Sequence, residues 1–197
     1  SSVYEIAEYA FSNCPNLKLI NFPENSKLKK IEKNVFYQSS LESIVIPPSI
    51  KELNEAFAYS SLETISIPPT LTEINEEFFL HLPNLKNIVV SDDNQTFTYF
   101  DNKFLLSKSN NENYDTLIFS RSDIKEAHIP SSIKFISSYA FSQCKNLQLI
   151  EFPLDSKLVS LGKFALANTM IEIVFISPSV KEIGDCAFDG CNSLQSI

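Results

Sequence analysis

Apolar residues recur along this chain at fixed spacings separated by polar positions. The pattern Leu-x-x-Ile-x-Ile-Pro fits Leu17-Ile20-Phe22-Pro23, Leu41-Ile44-Ile46-Pro47, Leu62-Ile65-Ile67-Pro68 and Leu85-Ile88-Val90. It returns at Ile124-Ala127-Ile129-Pro130, Leu147-Ile150-Phe152-Pro153, Ile171-Val174-Ile176 and Leu194-Ile197. Successive first positions lie 24, 21, 23, 39, 23, 24 and 23 residues apart, so a single interval breaks the period. A second frame runs in step, an apolar pair three apart followed by Ala-Phe or its equivalent. Its members are Val3-Ile6-Ala10-Phe11, Leu28-Ile31-Val35-Phe36, Ile50-Leu53-Ala56-Phe57, Leu71-Ile74-Phe78-Phe79, Ile133-Ile136-Ala140-Phe141, Leu158-Leu161-Ala165-Leu166 and Val180-Ile183-Ala187-Phe188. Two interlocked frames of one period are the mark of a solenoid.

Each coil is expected to lay its first frame on one wall as an extended segment, pairing with the next coil at about 4.8 Å in a parallel sheet. Proline has no N–H to donate and closes that strand. The second frame predicts a short strand and a helical or 3₁₀ turn on the opposite wall. Phe11, Phe36, Phe57, Phe79, Phe141 and Phe188 then form a column through the core, with Leu166 substituting once. One coil cannot bury its own apolar face, so stability is shared between stacked neighbours. The expected fold is an α/β, β-rich solenoid, one domain over 1–197 with about eight coils.

The 39-residue interval between Leu85 and Ile124 lacks the Ala-Phe frame, so 91–123 is an irregular insertion coil. Within it, Phe97-Thr98-Tyr99-Phe100 and Lys103-Phe104-Leu105-Leu106 flank Asp101-Asn102, a pair suited to the positive φ angles of a two-residue hairpin. A third strand is expected at Thr116-Leu117-Ile118-Phe119. The reading is a β-meander projecting from the solenoid, either a spacer between two halves or a functional loop.

Charge narrows the function. A net charge of -8 and a pI near 4.8 oppose nucleic acid, whose phosphates reward clustered Lys and Arg. No run approaches the roughly 18 apolar residues of a membrane helix, and no signal peptide opens the chain. The first and last coils are incomplete, which fits a fragment or a processed chain.

Candidate chemistry is sparse. Cys14, Cys144 and Cys191 share one repeat position, filled elsewhere by Ser39, Ser60, Leu82 and Thr169, and read as small core groups. Cys144 and Cys191 lie two coils apart, beyond disulfide reach, and Cys186 has no repeat equivalent. Neither Cys-x-x-Cys nor paired His spacing supports a metal, and no cofactor is expected. His81 and His128 fall in different coils away from any nucleophile frame. Gly162, Gly184 and Gly190 are the only glycines, too few for a nucleophile elbow, a phosphate loop or a dinucleotide fingerprint. Asp92-Asp93-Asn94 lacks the Gly and terminal Glu of a calcium loop and reads as a solvated turn. Asn94-Gln95-Thr96 matches a glycosylation sequon, or a chance match in an Asn- and Ser-rich chain.

The strand wall carries the candidate site. Side chains between the apolar positions must point outward, by the period-two rule. The third-position column is Leu19, Ser43, Thr64, Asn87, Glu126, Leu149 and Ile173; the fifth is Asn21, Val45, Ser66, Val89, His128, Glu151 and Phe175. Leu149, Ile173 and Phe175 are expected to form an apolar patch beside His128 and Glu151, the candidate partner-binding residues. The alternative is cover by further coils, a dimer mate or a local bend.

Ala10-Phe11-Ser12-Asn13-Cys14, Ala140-Phe141-Ser142-Gln143-Cys144 and Ala187-Phe188-Asp189-Gly190-Cys191, with the Ile-x-Ile-Pro segments, resemble the BspA-like leucine-rich repeat over essentially the whole chain. Like that family, the chain lacks the Asn ladder of ordinary leucine-rich repeats. The resemblance implies a right-handed leucine-rich-repeat superhelix used for cell-surface or secreted adhesion in bacteria and protozoa, often to host or matrix proteins. In such proteins the hairpin turn usually carries Asp-Gly; Asn102 departs from that pattern, and Asn also tolerates the left-handed region. Function belongs to residues grafted on the scaffold. The expectation is a non-catalytic protein-binding or adhesion module, with an intracellular scaffold as the alternative and an enzyme the least favoured class.

Overall fold

Backbone donors of the Leu-x-x-Ile segments go to the neighbouring coil, as the repeat requires. The computed structural model describes residues 2–110 and 112–197, whose contacts gather into two compact units, 1–97 and 98–197. In the first unit, Leu19–Ile20, Ser43–Val45, Thr64–Ile67 and Asn87–Val90 form a four-stranded parallel sheet in that order. Its register aligns Leu19, Ser43, Thr64 and Asn87, and beside them Ile20, Ile44, Ile65 and Ile88. These are the repeat columns read from the sequence. The opposite wall is thinner: Glu5–Ile6 pairs in parallel with Lys30–Ile31, and Glu52–Leu53 with Glu73–Ile74. Burial alternates along Thr64–Ile67, Ile65 and Ile67 inside and Thr64 and Ser66 outside, because successive side chains face opposite sides of a strand.

The second unit repeats the scheme. Glu126–His128 pairs in parallel with Leu149–Glu151, and an isolated parallel bridge joins Ile173 to Ser196. Its other wall is a six-stranded sheet in the order Glu182–Ile183, Ser160–Leu161, Phe135–Ile136, Tyr114–Ser120, Phe104–Lys108, Phe97–Phe100.

The helical turns expected at Ala-Phe are hydrogen-bonded turns instead. An α-helix needs each N–H to bond a carbonyl four residues back. Here those donors bond the next coil: Phe11 N–H to Val35 O, Phe36 to Ala56 O, Phe141 to Ala165 O and Leu166 to Ala187 O, all at 2.8–2.9 Å. Left-handed residues also cut the run: Tyr9, Asn34, Tyr139, Phe164 and Cys186 have φ between 51 and 63°, and Asn13, Gln38 and Asn168 between 52 and 60°. The exception is Glu76–Phe79, a 3₁₀ helix and the only helical element among the described residues. Asn75 caps it, its Oδ1 accepting the Glu77 N–H at 2.9 Å, and Glu76 and Glu77 place acidic groups at its positive end.

That 3₁₀ turn changes the aromatic file. Phe11, Phe36 and Phe57 stack with ring centroids 5.6 and 5.1 Å apart and planes within 8° of parallel. The next ring against Phe57 is Phe78, edge-on at 5.7 Å, and not the expected Phe79, which packs edge-on to Phe78 at 4.8 Å. In this coil the 3₁₀ turn presents Phe78, and not Phe79, to the file. In the second unit Phe141 meets Phe104, Leu166 is fully buried and Phe188 packs at the edge of the core.

The meander exists, and its hairpin turn has Asp101 at φ 53° and Asn102 at φ 50°, as the dipeptide predicted. It does not project. Tyr114–Ser120 runs antiparallel to Phe104–Lys108 on one side and parallel to Phe135–Ile136 on the other, with Leu117 aligned on Ile136. The third strand therefore occupies the second-wall column that continues through Leu161 and Ile183. Phe104, Leu105, Leu106, Leu117 and Phe119 are buried, so apolar burial draws the insertion into the sheet.

Candidate functional site

In the second unit the expected outward side chains converge. His128, Leu149, Glu151, Ile173 and Phe175, spread over three coils, line one groove of about 500 Å³. Parallel pairing sets Glu126 beside Leu149 and His128 beside Glu151. Phe175 is 79% exposed and Ile173 45%, while Leu149 is half-buried. His128 Nδ1 lies 2.7 Å from Glu151 Oε2, and its Nε2 lies 3.9 Å from Glu126 Oε2.

Sequence reasoning missed one wall of this groove. Phe152, Pro153 and Leu154 close its end, and Leu154 is fully exposed. The available signal was positional: after Ile-Pro or Phe-Pro the other coils place Glu24, Pro48, Pro69 and Ser131, and only this coil places a large aliphatic group. The first unit has a groove at the equivalent place, about 330 Å³, lined by Phe22, Val45, Pro47, Ile67, Pro68 and Val89 among others. Its outward columns carry no charged residue: Leu19, Ser43, Thr64 and Asn87, then Asn21, Val45, Ser66 and Val89.

The remaining candidates take structural places. Asn94 is buried, and its amide uses all four bonding positions: Nδ2 donates to Pro68 O at 2.7 Å and Leu71 O at 3.1 Å, and Oδ1 accepts from the Thr96 and Phe97 N–H groups. A glycan on Nδ2 would replace one of these two N–H donors on a buried side chain, so the geometry gives the sequon no support. Asp92 and Asp93 remain exposed on the turn. His81 stacks on Tyr59 with ring centroids 4.3 Å apart.

All four cysteines are free thiols. Cys144 is fully buried, its Sγ 3.4 Å from Arg121 O, and burial pushes its thiol up to about 12. Cys191 donates to Leu166 O at 3.1 Å and Cys14 to Ser12 O at 3.6 Å. Ser39, Ser60, Leu82 and Thr169, their repeat equivalents, are buried, so the position holds a small or apolar core group as expected. Cys186 is exposed at a left-handed residue. Asp115 is the one buried carboxylate among the described residues: it accepts from the Ser109 N–H at 2.9 Å and hydroxyl at 2.8 Å, and Lys134 Nζ lies 3.1 Å away. Burial pushes its carboxyl up, and the Ser109 hydrogen bonds and Lys134 ammonium outweigh that, leaving it below its ordinary value. No helix among the described residues is long and apolar enough to cross a membrane, and no cluster of metal-ligating side chains occurs among them.

Comparison with protein families matches the BspA type leucine rich repeat region over residues 1–111 and 112–197, in six copies. Comparison with curated proteins finds no match. Among solved structures, a leucine-rich repeat protein from Eubacterium ventriosum is similar over 100% of this chain and 58% of its own, with 23% identity and a TM-score of 0.74. One from Bacteroides ovatus is similar over 100% of this chain and 47% of its own, with 29% identity and a TM-score of 0.62. A leucine rich cell surface protein from Faecalibacterium prausnitzii shares 22% identity over 98% of this chain and 69% of its own, with a TM-score of 0.57. The chain thus spans about half to two-thirds of the length of these proteins. Repeats matched along its whole length, in register with coils that pair wall to wall, leave one assignment: this chain belongs to the BspA-type leucine-rich repeat family.

Proposed function

We propose that this chain is a non-catalytic protein-binding module of a cell-surface or secreted protein, its 197 residues acting as one repeat domain. Its partner is a protein, host or matrix protein being the class the family suggests, and docks on the second-unit groove. The observation that carries the reading is the convergence of His128, Leu149, Glu151, Ile173 and Phe175 on one groove, with Phe175 and Leu154 open to solvent. An exposed apolar patch with a polar rim is the kind of surface that marks a partner site. The cell-surface part draws on the Faecalibacterium prausnitzii protein, described as a leucine rich cell surface protein. A second reading, an intracellular scaffold of the same fold, is favoured by one observation, the four unpaired thiols.

The binding reading is tested by pull-down from host and matrix protein mixtures with the wild-type chain and Phe175→Ala. The side chain is exposed, so its removal leaves thermal stability within about 0.5 kcal/mol. Loss of captured proteins is expected, and an unchanged capture profile contradicts the assignment. Reading the full-length gene for a signal peptide or membrane anchor separates the surface reading from the intracellular one.

A further inference from the structure

We propose that the second-unit groove selects a cationic apolar segment: an extended stretch of a partner protein in which a large aliphatic or aromatic side chain is flanked by Arg or Lys. This rests on that groove being the binding site. Its apolar part is Leu149, Leu154, Ile173 and Phe175, and its charged part is Glu151, with Glu126 outside the lining on the adjacent strand, in register with Leu149. Neither carboxylate has a Lys or Arg ion-pair partner among the described residues; each has only the imidazole of His128, at 3.9 and 2.7 Å. No Lys or Arg lines the groove. Other carboxylates of the chain are met by cations, Glu42 by Lys18, Glu55 by Lys33 and Asp123 by Arg121. A guanidinium or ammonium arriving beside an apolar anchor would meet Glu151 at the rim, with Glu126 on the adjoining strand, while its neighbour fills the space against Phe175.

The two units supply an internal comparison. The first-unit groove offers a similar apolar shelf of Phe22, Val45, Pro68 and Val89, with Glu24 lining it after the strand and no charge on its strand wall. A preference for positive charge that comes from the strand wall belongs to Glu126 and Glu151, the wall of the first unit carrying none. A second copy of the chain is disfavoured as occupant, because self-pairing through this patch would bring like carboxylates together. An acidic segment is disfavoured for the same reason.

The test uses the full chain and a fluorescein-labelled synthetic peptide holding two leucines flanked by arginines in a Ser/Gly background, followed by fluorescence anisotropy. Matched probes replace Arg by Glu, or Leu by Ser. The Arg–Leu probe should bind roughly three- to tenfold more tightly than the Glu–Leu probe. The double variant Glu126→Gln/Glu151→Gln should abolish that difference, and Phe175→Ser should weaken the Arg–Leu probe about tenfold or more. Circular dichroism confirms that each variant folds. Equal binding of the Arg and Glu probes, or a preference that survives the double glutamine variant, overturns the charge selectivity and leaves the groove reading standing. Binding unaffected by Phe175→Ser overturns the groove itself. A Ser-substituted probe that binds as tightly as the Arg–Leu probe reduces the effect to bulk attraction by an acidic chain and overturns the proposal, as does the absence of binding by any probe. Sedimentation showing self-association that Phe175→Ser abolishes would assign the groove to a second copy instead.

Discussion

Phe57 sits fully buried between the rings of Phe36 and Phe78. Its truncation removes contacts to two coils at once, so Phe57→Ala should cost about 3 to 5 kcal/mol by denaturant unfolding; a negligible loss would mean that the file carries no stability. Asp115 adds a pH dependence. Its folded-state carboxyl lies below the ordinary value of 3.8, so its contribution is full above about pH 4 and fades as pH falls through the lowered folded value. Asp115→Asn should lower Tm at neutral pH and flatten the acid limb of the Tm profile, the two curves converging at the lowest pH; parallel curves would contradict it. Residues of the column type were legible because repetition names them many times over. Asn94 was not: its partners, Pro68 and Leu71, lie 26 and 23 residues earlier, and the local triplet Asn-Gln-Thr advertised a sequon while the side chain brackets a coil. Phe79 was misplaced by one residue for a related reason, since only the backbone of its coil decides which of two adjacent rings enters the file.

At the scale of elements, the turns set the outcome. Ala-Phe segments have helix-compatible composition, yet Phe36 and Phe141 donate to the coil beyond, and a donor used between coils is unavailable within one. Left-handed Tyr9, Tyr139 and Phe164 cost conformational energy, about 1 kcal/mol or more each, which the ladders on both sides must offset. Far-ultraviolet circular dichroism should accordingly show a β-dominated spectrum without the double minimum of an α-helix; a strong helical signature would refute the turn assignment. The strand walls were readable from spacing alone, because apolar period two and a fixed coil length determine both face and register. The insertion was readable as three strands and a two-residue turn. Its destination was not, since the parallel pairing of Leu117 with Ile136 depends on an empty second-wall position that only the assembled coil reveals. The first-unit groove went unseen for the same reason, since it arises where the segment after one strand meets the shelf of the next, whereas Leu154 was legible as the one large aliphatic group at its repeat position.

For the molecule as a whole, stacking makes stability a nearest-neighbour property within each unit, and leaves the outward columns free to vary. The two units spend that freedom differently. The first presents an uncharged strand wall, and its 13 Asp and Glu against 7 Lys and Arg lie elsewhere on its surface; the second places His128 between Glu126 and Glu151 beside its apolar groove. A scaffold whose repeats fix the core and release the surface suits recognition, and chemistry at that surface decides the partner.

The central claim is that equivalent positions of consecutive coils lie side by side, and cysteine cross-linking tests it without reference to function. Ser43 and Thr64 are register partners on adjacent strands, while Ser43 and Asn87 are separated by the strand between. Strands about 4.8 Å apart fall within disulfide reach, and two spacings exceed the roughly 7 Å limit. Under mild oxidation the double variant S43C/T64C should therefore form its disulfide, seen by peptide mass mapping, while S43C/N87C stays reduced. Cross-linking of S43C/N87C as readily as S43C/T64C, or none in either, would contradict the stacked-coil account.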